Sequence, residues 1–167
     1  MKVTDKHVFF WGEWPSNWYP SKFTAYYDGK PYEFDNSEQY FMFVKAKIFG
    51  DEDAALKILL HGKNPRVAKT IGREVKNYDD KVWDEKRYDI MVDACYHKFS
   101  QNVDLMNEIL SEEYEGKGFC EASPIDRLWG IGIGEKEASD DESTWKGQNL
   151  LGKALDEVRK RLLDENS

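Results

Sequence analysis

Cysteine is scarce. Only Cys95 and Cys120 occur in 167 residues, with no CxxC spacing. That excludes a disulfide framework and fits a reducing, cytoplasmic compartment. The three histidines, His7, His61 and His97, are scattered. No HExxH or paired-cysteine spacing exists, so no metal ligand set is read and the chemistry is expected to be metal-independent. There is no GxSxG elbow, and Cys95 lies in a helical apolar stripe where a thiol is ordinary packing. No apolar run reaches membrane-spanning length and none resembles a signal peptide, so the chain is expected to be soluble with no membrane partner. Excess positive charge is also missing. Lys plus Arg number 24 against 32 Asp plus Glu, a formal charge of -8. A general nucleic-acid binder neutralises phosphates and looks different, although a local basic cleft stays compatible. No repeat or low-complexity linker appears, and the length suits a single domain spanning 1–167.

Aromatic residues are what the chain has in quantity. Of 24 Phe, Trp and Tyr, 15 fall in the first 50 positions, so that end packs densely, lines a cavity, or does both. "HVFFWGEW" (7–14) reads as a short strand. "FTAYYDGKPYEF" (23–34) reads as a hairpin turning at Asp28-Gly29. Asn36 followed by Gln39 is a capping-box arrangement opening a helix at "SEQYFMFVKAK" (37–47). A second helix is predicted from about Asp51 to Leu60, ending at Gly62, and a third begins at Asn64-Pro65. The segment 80–102 carries an apolar stripe of Val82, Trp83, Ile90, Met91, Ala94 and Cys95. A short helix around Leu105–Leu110, a strand at "GFCEAS" and a closing helix from Asn149 to about Leu163 follow. That last helix is expected to bury Leu150, Leu151, Ala154, Leu155, Val158 and Leu162. The fold class is mainly α within α+β, a helical domain with a few short N-terminal and central strands.

The helix at 37–47 carries the sharpest chemical signal. Glu38 and Lys45 are seven residues apart, about 10 Å along the axis on nearly one face. A surface ion pair would use a spacing of three or four. Two groups reaching one cavity from different depths would use this one. "GIGIG" (130–134) is a weak phosphate-loop signal, because the acidic "EKEASDDE" follows it; close backbone packing suits it better. In "ASPIDRLWGIG", Pro124 fixes a bend that displays Asp126, Arg127 and Trp129. In "TWKGQNLLGKAL", Gly152 inside an apolar helical pattern marks a close approach. "PSNWYPS" sets Asn17 and Trp18, an amide and a ring, in a loop between prolines.

These segments, "FFW…SNWYPS", "SEQYFMFVKA", "GREVKN…VWD", "KFSQN", "EASPIDRLWGIGIG" and "WKGQNLLGKALDEVR", occur in the order seen in the YbiA-like, or NADAR, family. The chain resembles that family over nearly its whole length. It departs at Gln39 and Met42, where His and Gln are common.

The resemblance implies a compact helical domain that hydrolyses N-glycosidic bonds and needs no cofactor. Two substrate types are implied: ribosylamino-pyrimidine phosphates of the riboflavin pathway, and ADP-ribose attached to a nucleobase. Partners would then be a small phosphorylated nucleoside-like or ADP-ribosyl substrate, with ADP-ribosylated nucleic acid as a further one and no obligate protein partner.

Breaking such a bond develops positive charge at the anomeric carbon and negative charge on the leaving nitrogen, so two carboxylates are wanted. Glu38 and Asp126 are the expected pair, converging beside an aromatic wall. Lys45 is the third catalytic candidate, either contacting ribose or phosphate oxygens or forming an imine at the anomeric carbon. Trp83 is the expected stacking ring, with Trp18 and Trp129 as further walls. Arg73 and Arg87 are the phosphate candidates, with a solvated surface role the alternative for each and slightly favoured for Arg87. Asn17, Tyr40, Ser123, Gly147 and Asn149 complete the expected substrate-binding set. The competing class is a non-catalytic module that binds ADP-ribose or a related nucleotide through the same residues.

Overall fold

A computed structural model describes all residues, 1–167. In chain order the strands are β1 (Lys2–Val3), β2 (His7–Phe10), β3 (Phe23–Tyr27), β4 (Lys30–Phe34) and β5 (Gly118–Glu121). The helices are α1 (Ser37–Ile48), α2 (Glu52–His61), α3 (Pro65–Arg73), α4 (Asp80–Ser100), α5 (Val103–Ile109) and α6 (Leu150–Glu165). The backbone divides into a central unit, Asn17–Val103, and a terminal unit made of Met1–Ser16 with Asp104–Ser167. The α+β, mainly helical class expected from the sequence is the one observed. No helix is long and apolar enough to cross a membrane.

In the central unit, Asp28 and Gly29 both take positive φ (50° and 77°), the two-residue turn geometry that follows strand twist and pairs Tyr27 with Lys30. The hairpin's inward rings, Phe23 and Phe34, pack on Tyr40 and Phe43 of α1. Helix α1 is buried along most of its length because α2, α3 and α4 all pack against it. Asn36 caps it by accepting from the Gln39 N–H at 2.8 Å. The other arm of the box departs from the reciprocal pattern. The Gln39 side chain accepts from the Asp35 N–H at 2.7 Å and donates to the Ile58 carbonyl at 3.0 Å, fastening α1 to the last turn of α2. Met42 lies against Gly72 of α3, where an added Cβ would overlap its sulfur. The two departures from the family pattern are thus packing residues here.

In α4 the buried set is Trp83, Ile90, Met91, Ala94 and Cys95, extended by Lys98 and Phe99. Val82, expected in the stripe, is only half-buried at the helix start.

In the terminal unit, β2 is the centre of a three-stranded sheet, antiparallel to β1 and parallel to β5. The sheet's core is Phe9, Cys120, Ala122, Ile131 and Ala138, with Ile133 and Trp145 against it. Helix α6 packs on β5 through Gly152, where a Cβ would overlap the Phe119 carbonyl; this is the close approach its sequence context implied. Leu151, Ala154, Leu155, Val158 and Leu162 are buried as expected, whereas Leu150 at the helix start is half-buried.

Candidate active site

Glu38, Phe41 and Lys45 fall on one face of α1, at positions i, i+3 and i+7. Glu38 is 7% exposed, and its N–H donates to the Asn17 carbonyl at 3.2 Å, tying the 17–19 loop to the start of α1. The Lys45 ammonium lies 4.7 Å from the centre of the Tyr78 ring and 5.5 Å from that of Trp83, whose ring meets Phe41 at 5.0 Å. Burial pushes the Lys45 ammonium below its ordinary range. Glu38 opposes that shift, Arg73 reinforces it, and Asp80 opposes it. Glu38, Arg73 and Asp80 therefore share one electrostatic neighbourhood with Lys45. A depressed ammonium beside a buried carboxylate and aromatic rings is the environment in which a lysine becomes a usable amine.

Asn17 adds a polar signal. Its side-chain nitrogen donates to the Met91 sulfur at 3.3 Å, while its buried Oδ1 has no partner, and the same holds for the Ser37 hydroxyl beside Glu38. An unmet buried acceptor costs about 1–3 kcal/mol, which a bound molecule would relieve.

Two aromatic expectations change. Trp83, at 6% exposure, is covered by Phe41, Phe49 and Lys45, so it is part of a wall and offers no open stacking face. Trp18 is 38% exposed, with Arg66 and Lys69 of α3 each 5.9 Å from its ring. Tyr40 lies elsewhere. At 100° per residue it is roughly 140° round α1 from Lys45, and its ring is set among Phe23, Phe34 and His97. Burial there, with Asp93 and Tyr27 nearby, pushes its hydroxyl up to about 12, so Tyr40 serves the hairpin core. Arg87 pairs with Asp84 at 2.7 Å on the surface of α4, as its surface reading implied.

Lys98 carried no sequence signal beyond its place in "KFSQN". It is fully buried in α4, 5.7 Å from the Tyr19 ring and 5.0 Å from Phe99. Burial brings its ammonium down to about 7, against a small opposing effect of Cys95. Its position one turn beyond Cys95 in an apolar stripe was the available clue.

The terminal unit holds Ser123, Asp126, Trp129, Gly147 and Asn149, and the side chains of Ser123, Asp126 and Asn149 bond to the backbone. Asp126 Oδ1 accepts from the N–H groups of Leu128 and Trp129 at 2.9 and 2.8 Å. Ser123 Oγ accepts from Ile125 and Asp126 at 3.2 and 3.0 Å. Asn149, in a left-handed conformation (φ 54°), accepts from the Glu121 N–H at 3.1 Å and donates to the Phe119 carbonyl at 2.9 Å, so its amide continues the ladder of β5. Segments 127–131 and 146–151 are laced by backbone bonds, Lys146 to Ile131, Gln148 to Arg127, Asn149 to Gly130 and Leu151 to Trp129. Gly147 permits this, since a Cβ there would overlap the Gly130 carbonyl. The "GIGIG" glycines are likewise close-packing positions: a Cβ on Gly130 would come within 2.9 Å of the Glu121 carbonyl oxygen.

The NADAR domain matches residues 9–163. An N-glycosidase of Acanthamoeba polyphaga mimivirus, R617, is 40% identical over 166 residues, covering 93% of this chain and 96% of that one. Protein irg-1 of Caenorhabditis elegans is also 40% identical, over 88% of this chain and 74% of its own. Among solved structures, the E. coli protein YbiA superposes with a TM-score of 0.73 at 26% identity, covering 99% of this chain and 89% of that one. The chain belongs to the NADAR family and is, in class, an N-glycosidase.

Proposed function

We propose that the enzyme hydrolyses the bond between a phosphoribosyl or ADP-ribosyl sugar and a nucleobase-like amine. Ribosylamino-pyrimidine phosphates and ADP-ribosylated guanine, free or in single-stranded nucleic acid, are the two candidate substrates. The observation that carries the reading is the buried Glu38 coupled to a desolvated Lys45 on one face of α1. The NADAR match runs through both units, which supports treating 1–167 as one catalytic domain. The two buried thiols, Cys95 and Cys120, suit a reducing cytoplasm.

The reaction adds water across the C1–N bond: the hydroxyl goes to the anomeric carbon and the proton to the departing nitrogen. Glu38 and Asp126 are assigned the two carboxylate roles, one stabilising the oxocarbenium-like carbon or taking the water proton, the other assisting departure. Asp126 retains its second oxygen for that role while Oδ1 holds the turn. Arg73 and Lys45 suit the phosphate and ribose oxygens, and Trp18 suits the planar base. Lys45 has a second possible route. Its neutral amine attacks C1 and expels the base, which gains a proton, and water then releases the sugar from the resulting imine.

The test is base release by Glu38→Gln, Asp126→Asn and Lys45→Ala on both substrate types. Native-level rates in Glu38→Gln would remove the acid from the mechanism. Borohydride trapping of a sugar on Lys45, with a rate that climbs as pH rises through its lowered pKa, would establish the imine route. No adduct and a flat alkaline limb would leave direct water attack.

A further inference from the structure

Helix α2 packs on α1 and α3 through one side only. Ala54, Ala55 and Ile58 are buried there, and at about 100° per residue Leu60 points roughly 160° round from Ile58. Leu60 is 66% exposed, and Leu56, one turn earlier on the same face, is 54% exposed. One open leucine on a surface needs no explanation. Two in succession on the outward side of a ten-residue helix form an apolar ridge. Both ends of that ridge are fixed. At its start Asp51 accepts from the Ala54 and Lys76 N–H groups at 3.0 and 2.9 Å. At its end the Asn36 amide donates to the carbonyls of Gly62 and Lys63 at 3.1 and 3.2 Å. A ridge held in this way loses little entropy when something docks on it.

The charges around the ridge narrow the occupant. Residues 54–73 contain five Lys and Arg and no acid, in a chain of formal charge -8. Acids stand at the start of the helix: Glu52, held by Lys47 at 2.7 Å, and Asp53, whose contact with Lys57 is a loose 3.8 Å. Lys63, just past the helix end, is exposed and has no carboxylate partner in its own chain. A face that is acidic at one end, basic at the other and apolar between is complementary to itself when turned about a two-fold axis. With that axis beside Ile58, Leu56 meets Leu60 of a second copy, and Asp53 meets Lys63 of the second copy at both ends. The antiparallel arrangement also sets each helix N-terminus beside a C-terminus, which the helix dipoles favour.

We propose that the outer face of α2 is a self-association surface, on which a second copy of this chain docks antiparallel through Leu56 and Leu60, with Asp53 to Lys63 contacts at either end. A single helix pair is smaller than the interface of a stable complex, so the dimer is weak, with a dissociation constant on the order of 100 μM. None of these residues is assigned to the N-glycosidase reaction, so the surface stands or falls apart from it.

The experiment is sedimentation equilibrium on the full chain, at protein concentrations bracketing that constant. A reversible monomer–dimer equilibrium is expected. Leu60→Glu, at an exposed position that folding does not use, weakens it about tenfold or more. Asp53→Lys and Lys63→Glu each create two like-charge contacts in the dimer, and each alone weakens it about tenfold. Mixed in equal amounts, these two variants regain association, because their heterodimer pairs opposite charges at both ends. A chain that stays monomeric at every concentration leaves the ridge to a different partner and overturns the proposal. So does self-association undiminished by Leu60→Glu, or a mixture that associates no better than its components.

Discussion

The two units treat their polar motif residues in opposite ways. In the terminal unit, the side chains of Ser123, Asp126 and Asn149 bond to backbone groups of 119–129, and glycines at 130, 147 and 152 let the segments touch. In the central unit, Glu38 is buried, Lys45 lies over the Tyr78 and Trp83 rings, and Asn17 Oδ1 and the Ser37 hydroxyl are buried without partners. The first arrangement fixes backbone positions. The second leaves electrostatic tension that a ligand can relieve. Motif character in a sequence therefore has two physical meanings, and four substitutions separate them.

The largest effect is expected at Gly152. Alanine there would drive a methyl into the Phe119 carbonyl oxygen and into the Asn149 amide that bonds β5, so backbone and a hydrogen-bonded side chain would both have to shift. Urea unfolding should show a loss of about 3 kcal/mol or more, or no folded protein. Asp126→Asn comes next and cuts across the comparison. Its amide oxygen can still accept from Leu128 and Trp129, so stability should change by less than about 1 kcal/mol while kcat falls about 100-fold. A drop in stability with kcat per folded molecule unchanged would make Asp126 purely a turn residue.

Asn149→Ala removes both bonds to β5 and should cost about 2 kcal/mol by denaturant unfolding, with KM for the substrate moving little. The smallest effect is pH-dependent. Burial raises the Asp156 carboxyl to about 6, against opposing effects of the Phe119 N–H, His7 and Arg159. A raised carboxyl pKa favours the folded state at low pH, and that contribution is lost as pH rises from about 4 through 6. Asp156→Asn keeps an acceptor for the Phe119 N–H, so it should gain about 1–2 kcal/mol at pH 8 and almost nothing at pH 4.

The helices were largely legible because their ends are chemically marked: Asn36, Asp51, Asn64 and Asp79 all cap by side-chain bonds to the first turn. The hairpin was legible from Asp28-Gly29 for the same local reason. The β2–β5 pairing was not, since more than a hundred residues lie between partners and the signal of a parallel pair is burial without alternation. Glu38 and Lys45 stood out by spacing alone. Leu60 and Lys98 did not, because what distinguishes them, exposure of one and burial of the other, arises only from tertiary packing. Trp83 and Tyr40 misled for the converse reason: an aromatic at helical spacing suits core and site equally until its neighbours are known.

The central claim is that Glu38 does chemistry and is not there for packing. Glu38→Gln conserves shape and the backbone bond to Asn17, so base-release kinetics on this variant isolate the charge. A fall in kcat of about 100- to 10,000-fold with the unfolding midpoint nearly unchanged is the predicted result. Native kcat in a stably folded Glu38→Gln protein would contradict it.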